Sequence, residues 1–406
     1  MDVAGADSAK LLIDGRYIGV DAQAPLTFSV SVDPGEHKVK VRTKDGDSEE
    51  RFDAVFTASG SGSTGPAAPR PPTSPSTPSA TPPAATAEIV VDTVAEIRSA
   101  LATAAPGSVV RVADGEYTFK PRLVASASGT AEAPITLKGT RNAKLRTKNA
   151  SGDYGLHVTG DHWRVEGLTV AHGSKGIVLD GSVGTVIDGV EVYDVGAEAV
   201  HFRTCSSDGV LRNSYIHDTG RTSAQYGEGV YVGSANSNWS KYECTDEEEG
   251  RTVGDNTERV LIEDNVFEDI TAEGADLKEG TDSGVLRRNV FRRAGVSGMN
   301  SADSAVDAKG NNWIIEDNVV SETDATWDDD GVARPSEFED GYQVHSVYSG
   351  YGVGNTFRRN HVEGDVPGFG FGLYPGSGNV VACDNSAPGA AKGLVGDKSR
   401  ASTCRR

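Results

Sequence analysis

Two short runs of this chain, "GADLKEGTDSG" and "AVDAKGNN", each carry an acid two residues before a base, Asp276 with Lys278 and Asp307 with Lys309. An amine held beside a carboxylate can take up or deliver a proton, or grip an anionic group. Three further runs align with these two. "AVHFRTCSSDG" contributes His201 and Arg203, "GVYVGSANSN" contributes Tyr231, and "GYQVHSVYSG" contributes Gln343 and His345. Alternate residues of a strand face opposite sides, so these groups fall in one column on one face. A second column stands just before each strand. Glu198, Glu228, Glu273 and Asp340 occupy equivalent places, with Asp303 one residue further out. Stacked carboxylates raise one another's pKa unless a cation lies among them. A hard ion with six to eight oxygen ligands suits them, so Glu228, Glu273 and Asp303 are read as ligands of Ca2+.

Such columns require strands stacked in register. The opposite face of the same runs is small or apolar: Val200 and Phe202, Val230 and Val232, Ala275 and Leu277, Val306 and Ala308, Tyr342 and Val344. These fill an interior. Between them lie second strands such as "RVLIEDNVFEDI", "GVLRRNVFRRAG" and "WIIEDNVVSETD". Spacings of 30 to 45 residues between aligned starts describe a solenoid with insertions. Asn213, Asn265, Asn289, Asn318 and Asn360 recur at one place per repeat and are expected to form an internal amide ladder at a left-handed corner. Ahead of the repeats, "TVAEIRSALATA" has helical apolar spacing and is expected to cap the first coil.

The stretch "VAEIRSALATAAPGSVVRVADGEYTF…SGTAEAPITLKGT…GDHWRVEGLTV" resembles the N-terminal region of secreted β-helix polysaccharide lyases, particularly the alginate lyase and chondroitinase B family. The resemblance implies an all-β, pectate-lyase-like right-handed parallel β-helix that holds a long polysaccharide in an external groove. It also implies β-elimination on a uronic-acid polymer, which requires a neutralised carboxylate, a base for the C5 proton and an acid for the leaving oxygen. In that family an acidic calcium ligand precedes a catalytic lysine by a few residues. "TAEGADLKEGTDSGVLRRNVF" is similar to that element, which implies Lys278 as base and Glu273 as ligand. The match departs at Thr271 and Ala272, where a second acid is expected, and no "RHG" follows.

Arg203, Lys309 and His345, with His201 beside them, are candidates for protonating the leaving group or gripping carboxylates. Tyr231, Gln343 and Tyr374 are read as substrate contacts. So are Trp239 and Tyr242 in the insertion "SANSNWSKYECTDEEEGRTVGDN", with a loop anchor as the other reading of Trp239. Two alternatives stand beside the lyase, whose chemistry a C5-epimerase shares. One is an inverting glycoside hydrolase using Asp276 and Asp307. The other is a non-catalytic glycan binder or adhesin.

The composition agrees with a turn-rich β protein, with 49 Gly, two Met and 24% charged residues among 406. A net charge of -20 argues against nucleic acid as a partner, and no long apolar run suits a membrane. Cys205, Cys244, Cys383 and Cys404 lack close metal-type spacing and are expected to pair locally, Cys205 with Cys244 and Cys383 with Cys404. Disulfides imply an oxidising compartment, so secretion is expected although "DVAGADSAK" after Met1 is no signal peptide. The solenoid is expected to be a monomer. Residues 88–406 form it, residues 58–87 hold eight of the 17 Pro and read as a spacer, and residues 1–57 read as a small β-sandwich. That N-terminal part resembles bacterial immunoglobulin-like modules through "APLTFSVSV" and "GEHKVKVRTKDGD".

Overall fold

The computed structural model describes residues 88–406 apart from 247–250, 322, 324, 328–332, 336, 375–377, 398–399, 403 and 406, and between residues 1 and 87 the backbone of the strands alone. The chain divides into two compact units, Met1–Ala84 and Ala85–Arg406. In the first, Arg16–Asp21, Ser8–Ile13, Gly35–Asp45 and Ser48–Ala58 form an antiparallel sheet in that order, with Asp2–Val3 paired to Leu26–Thr27. The expected spacer falls on residues outside the description except at its first residue.

The second unit is a parallel β-helix. Successive turns of chain visit three parallel sheets in a fixed cycle, and each strand pairs with its equivalent one turn later. The sheet that carries the site contains β1 (Leu123–Ala125), β2 (Leu156–Val158), β3 (Ile177–Asp180), β4 (Val200–Arg203), β5 (Val230–Val232), β6 (Ala275–Leu277), β7 (Ser304–Ala308), β8 (Asp340–His345), β9 (Phe369–Tyr374), β10 (Gly393–Asp397) and β11 (Arg400–Ser402), in chain order, only the last pair being antiparallel. A second sheet of 11 strands runs from Ile89–Val91 to Val380–Val381, and a third of nine from Gly115–Thr118 to His361–Val362.

The register matches the sequence alignment residue for residue. Val200 pairs with Val230, Val230 with Ala275, Ala275 with Val306 and Val306 with Tyr342. The whole inward column is buried, and burying each large member contributes about 1.5–3 kcal/mol. The insertions are accommodated between turns, so the long spacings never disturb the stack.

Helix α1 (Val94–Thr103) covers the first coil as expected. Thr93 Oγ1 accepts from Glu96 N at 3.2 Å, and Ile97 and Leu101 are buried. The backbone of Ser126, at the end of β1, donates to Leu101 O.

The asparagine ladder is present with a shifted start. Asn265, Asn289, Asn318, Asn360 and Asn385 are buried in a file, and each of the first four donates its backbone N–H and Nδ2–H to the next Oδ1 at 2.9 to 3.1 Å. Asn213 is not a rung. Ser214 takes that place and donates its N–H to Asn265 Oδ1, while Asn213 turns to Asp188. The left-handed corner lies one residue before each of the first four ladder asparagines, at Asp264, Arg288, Asp317 and Arg359, rather than on the asparagine itself. Both expected disulfides are formed, Cys205 with Cys244 and Cys383 with Cys404.

Candidate active site

Strands β2 to β9 bring one outward column together: His157, Val178, His201, Tyr231, Asp276, Asp307, Gln343 and Gly372 are laterally paired in that order. Lys278 and Lys309 stand just past the ends of β6 and β7, and His345 and Tyr374 end β8 and β9. The sequence reading placed this column on one outer face. Most of it is in fact sunk, with Asp276, Asp307, His201, Arg203 and Gln343 all below 5% exposure.

Buried charges are retained only when paired. Lys309 Nζ lies 2.8 Å from Asp276 Oδ1, 2.7 Å from Asp307 Oδ2 and 4.0 Å from Glu273 Oε1. Despite burial, these carboxylates hold its pKa above the ordinary lysine value. Lys309 is therefore a fixed counter-ion rather than the free acid or substrate grip expected. It also bridges Asp276 and Asp307, the two carboxylates read as a hydrolase pair. Burial would raise the Asp307 pKa, but Lys309 and His345 hold it below the usual range, and His345 Nδ1 sits 3.0 Å from both Asp307 oxygens.

Arg203 is committed too. Its Nε and Nη2 donate to Asp180 at 2.6 and 3.0 Å, and its guanidinium lies 4.4 Å from the Tyr242 ring centroid. Asp180 also receives His157 Nε2 at 2.7 Å. Asp180 and His157 were missed because the alignment began at Ala199, one coil after Asp180 and two after His157. The strand "LHV" alone showed the same alternation. His201 donates Nε2–H to Gly233 O at 2.8 Å and turns Nδ1 toward Glu198, 3.4 Å away. Burial depresses the His201 pKa, whereas His201 and Lys175 outweigh burial and hold Glu198 at about 2.

At the other end, Gln343 Nε2 bridges Asp303 and Asp340 at 2.9 and 3.1 Å. Tyr374 donates its hydroxyl to Asp340 and stacks on His345 with centroids 5.2 Å apart. Asp303 therefore belongs to this group, not to the cluster expected around Glu228 and Glu273. Asp276 takes its place: oxygens of Glu228, Glu273 and Asp276 lie within 4.8 Å of one another. Burial and the neighbouring carboxylates raise the Glu228 pKa well above the ordinary range and push Glu273 up to about 8. Glu228 Oε2 is buried and has no hydrogen-bond partner among the described residues. Three convergent carboxylate oxygens, with Glu228 and Glu273 disfavoured as anions on their own, fit a hard divalent cation.

Lys278 and Tyr231 remain at the centre. Lys278 Nζ is 3.1 Å from Asp276 Oδ2 and 5.3 Å from the Tyr231 ring centroid. Its pKa is raised, not lowered as a base would need: burial depresses it, but Asp276, Glu279, Asp307 and Glu273 prevail. Tyr231 packs edge-on against His201 and is half-buried. Burial, then Asp276 and Glu228, keep its hydroxyl protonated far above the usual phenol value. Trp239 is the loop anchor of the two readings. Its Nε1 donates to Ser234 O at 3.0 Å, and a Cβ on Gly254 would come within 2.2 Å of its ring.

A stacked three-sheet solenoid with an acid–base column on one face defines a carbohydrate-active β-helix enzyme, and the comparisons agree. The family described as right handed beta helix region matches residues 154–332. The alginate lyase from Paenibacillus sp. str. FPU-7 is 33% identical, over 76% of this chain and 98% of that one, with a TM-score of 0.66. The chain belongs to that enzyme's family, the pectate-lyase-like right-handed parallel β-helix proteins. Pectate lyase Pel9A is 13% identical over 78% of this chain and 82% of its own, with a TM-score of 0.45. The GH87 α-1,3-glucanase from Streptomyces thermodiastaticus strain HF3-3 is 12% identical over 97% and 81%, also at 0.45. No curated protein sequence matches the chain.

Proposed function

We propose that this protein cleaves a uronic-acid polysaccharide, of the alginate class, by β-elimination. The observation that carries the reading is the approach of Lys278 Nζ to within 5.3 Å of the Tyr231 ring centroid across two adjacent coils, an amine and a protonated hydroxyl on one outer face. Kinship with the Paenibacillus alginate lyase supports the substrate class.

Elimination needs a proton removed from C5 and a proton delivered to the leaving O4. Lys278 takes the first and Tyr231 gives the second, since its environment keeps the hydroxyl protonated. The carboxylates around Lys278 hold it as an ammonium, so it becomes a base only when their charge is offset. Glu228, Glu273 and Asp276 are the residues that would hold a divalent cation. When bound, such an ion supplies positive charge that offsets these carboxylates and stabilises the enolate-like transition state. His201 packs against the Tyr231 ring and fixes its position. Lys309 locks Asp276 and Asp307 in place, an arrangement that does not support the hydrolase alternative.

Mass spectrometry of products separates the two chemistries. Elimination leaves each new end unsaturated, with no water added, whereas hydrolysis adds one water per cut. Water-free products from alginate or another uronate polymer are expected; hydrated ends would overturn the reading.

A further inference from the structure

We propose that Tyr348 is a stacking platform for a pyranose ring of the bound polysaccharide, at a subsite beside the reacting bond. The inference rests on the reading that a polysaccharide lies along the groove. Tyr348 follows His345 by three residues, in the turn that leaves β8, at the same strand ends where Lys278, Lys309, His345 and Tyr374 collect. Tyr348 is 44% exposed and Val347 beside it 51%, next to a column whose members are buried or half-buried.

The ring is exposed but held. It meets Trp239 edge-on with centroids 5.1 Å apart, and Trp239 also meets Tyr351 at 5.9 Å. Trp239 is itself fixed by its bond to Ser234 O and by the close approach of Gly254. The turn is tied down by Tyr351 N to Tyr348 O at 3.1 Å, Asn311 Nδ2 to Gly350 O at 3.0 Å and Val353 N to Asn311 Oδ1 at 3.2 Å. Trp239 and Tyr348 come from segments following different strands, β5 and β8, so two loops distant in sequence meet at this ring. A rigid, exposed aromatic face in the turn that leaves the site-bearing strand gives a sugar ring apolar contact at little entropic cost. The hydrogen-bonding edges of the sugar stay free for the polar column.

The test uses the full chain and the variants Tyr348→Ala, Tyr348→Phe and Tyr348→Trp, measured by retardation in native gels containing sodium alginate and by steady-state kinetics. Tyr348→Ala should lose retardation and raise KM about ten-fold with kcat changed by less than about two-fold, because remote binding energy is lost. Phe and Trp should restore both. Equal retardation of wild type and Tyr348→Ala, or failure of Phe and Trp to rescue, overturns the platform. If wild type itself is not retarded by alginate or any other uronate polymer, the groove reading fails instead. Tyr348→Trp, which keeps a ring over Trp239, guards against loss by misfolding.

Discussion

Lys278 and Lys309 are the same side chain on adjacent coils, given different work by their neighbours. Lys309 touches two buried aspartates, whereas Lys278 reaches one aspartate and leans toward Tyr231. Removing Lys309 strands charges that cannot reach water, which costs about 3–5 kcal/mol. Lys309→Ala should therefore lower the urea midpoint sharply. Lys278→Ala should leave stability within about 1 kcal/mol while lowering kcat at least about 1,000-fold, both read by unfolding curves and turnover on one preparation. The aligned columns singled out Lys278 and Glu273, and the family resemblance implied their roles as base and ligand. Neither could distinguish Lys309 as a counter-ion, nor replace Asp303 by Asp276, because both depend on side-chain reach across coils.

The acid cluster also fixes a pH dependence. In metal-free protein Glu273, raised to about 8 from an ordinary 4.5, keeps a proton that the unfolded chain releases. Its contribution to stability is present below 4.5 and is lost as pH rises toward 8. Glu198, held at about 2, acts oppositely, stabilising above 4.5 and failing as pH falls toward 2. Thermal melts in chelator should decline between about pH 4.5 and 8, with Glu273→Gln flattening the decline and added calcium reversing it.

Among the elements, the ladder of asparagines is what holds consecutive coils in register. Asn318 accepts from the Asn289 backbone and side chain and donates to Leu286 O and Asn360 Oδ1. Asn318→Ala leaves buried groups without partners, at about 1–3 kcal/mol each. Asn213→Ala touches only the half-buried bond to Asp188 and should cost less than about 1 kcal/mol in the same urea titration. The recurrence of asparagine announced this ladder in the sequence. The slip at Asn213 arose because "RNS" puts Ser214, not the asparagine, on the inward position. Strand alternation likewise gave the inward column without error, since a period of two survives any insertion made between strands. What alternation could not convey was depth. The loops after β5 and β8 lie far apart in sequence, so the aromatic contact between Trp239 and Tyr348 was invisible there.

At the scale of the whole molecule, a net charge of -20 opposes the approach of an anionic polymer. The described positive groups of the groove are mostly spent on internal carboxylates, so little long-range attraction offsets this. Raising ionic strength from about 0.02 to 0.2 M shortens the Debye length from roughly 20 to 7 Å and should lower KM several-fold on a uronate polymer while kcat stays constant. A rise in KM with salt would mean that a basic surface steers the substrate.

The most direct measurement is ultraviolet absorbance of the unsaturated uronate ends formed from sodium alginate, recorded for the wild type, Lys278→Ala and Tyr231→Phe. A steady rise with the wild type that vanishes in Lys278→Ala and falls at least about 100-fold in Tyr231→Phe is the predicted result. An undiminished rise with either variant, or no rise with the wild type on any uronate polymer, would contradict the account.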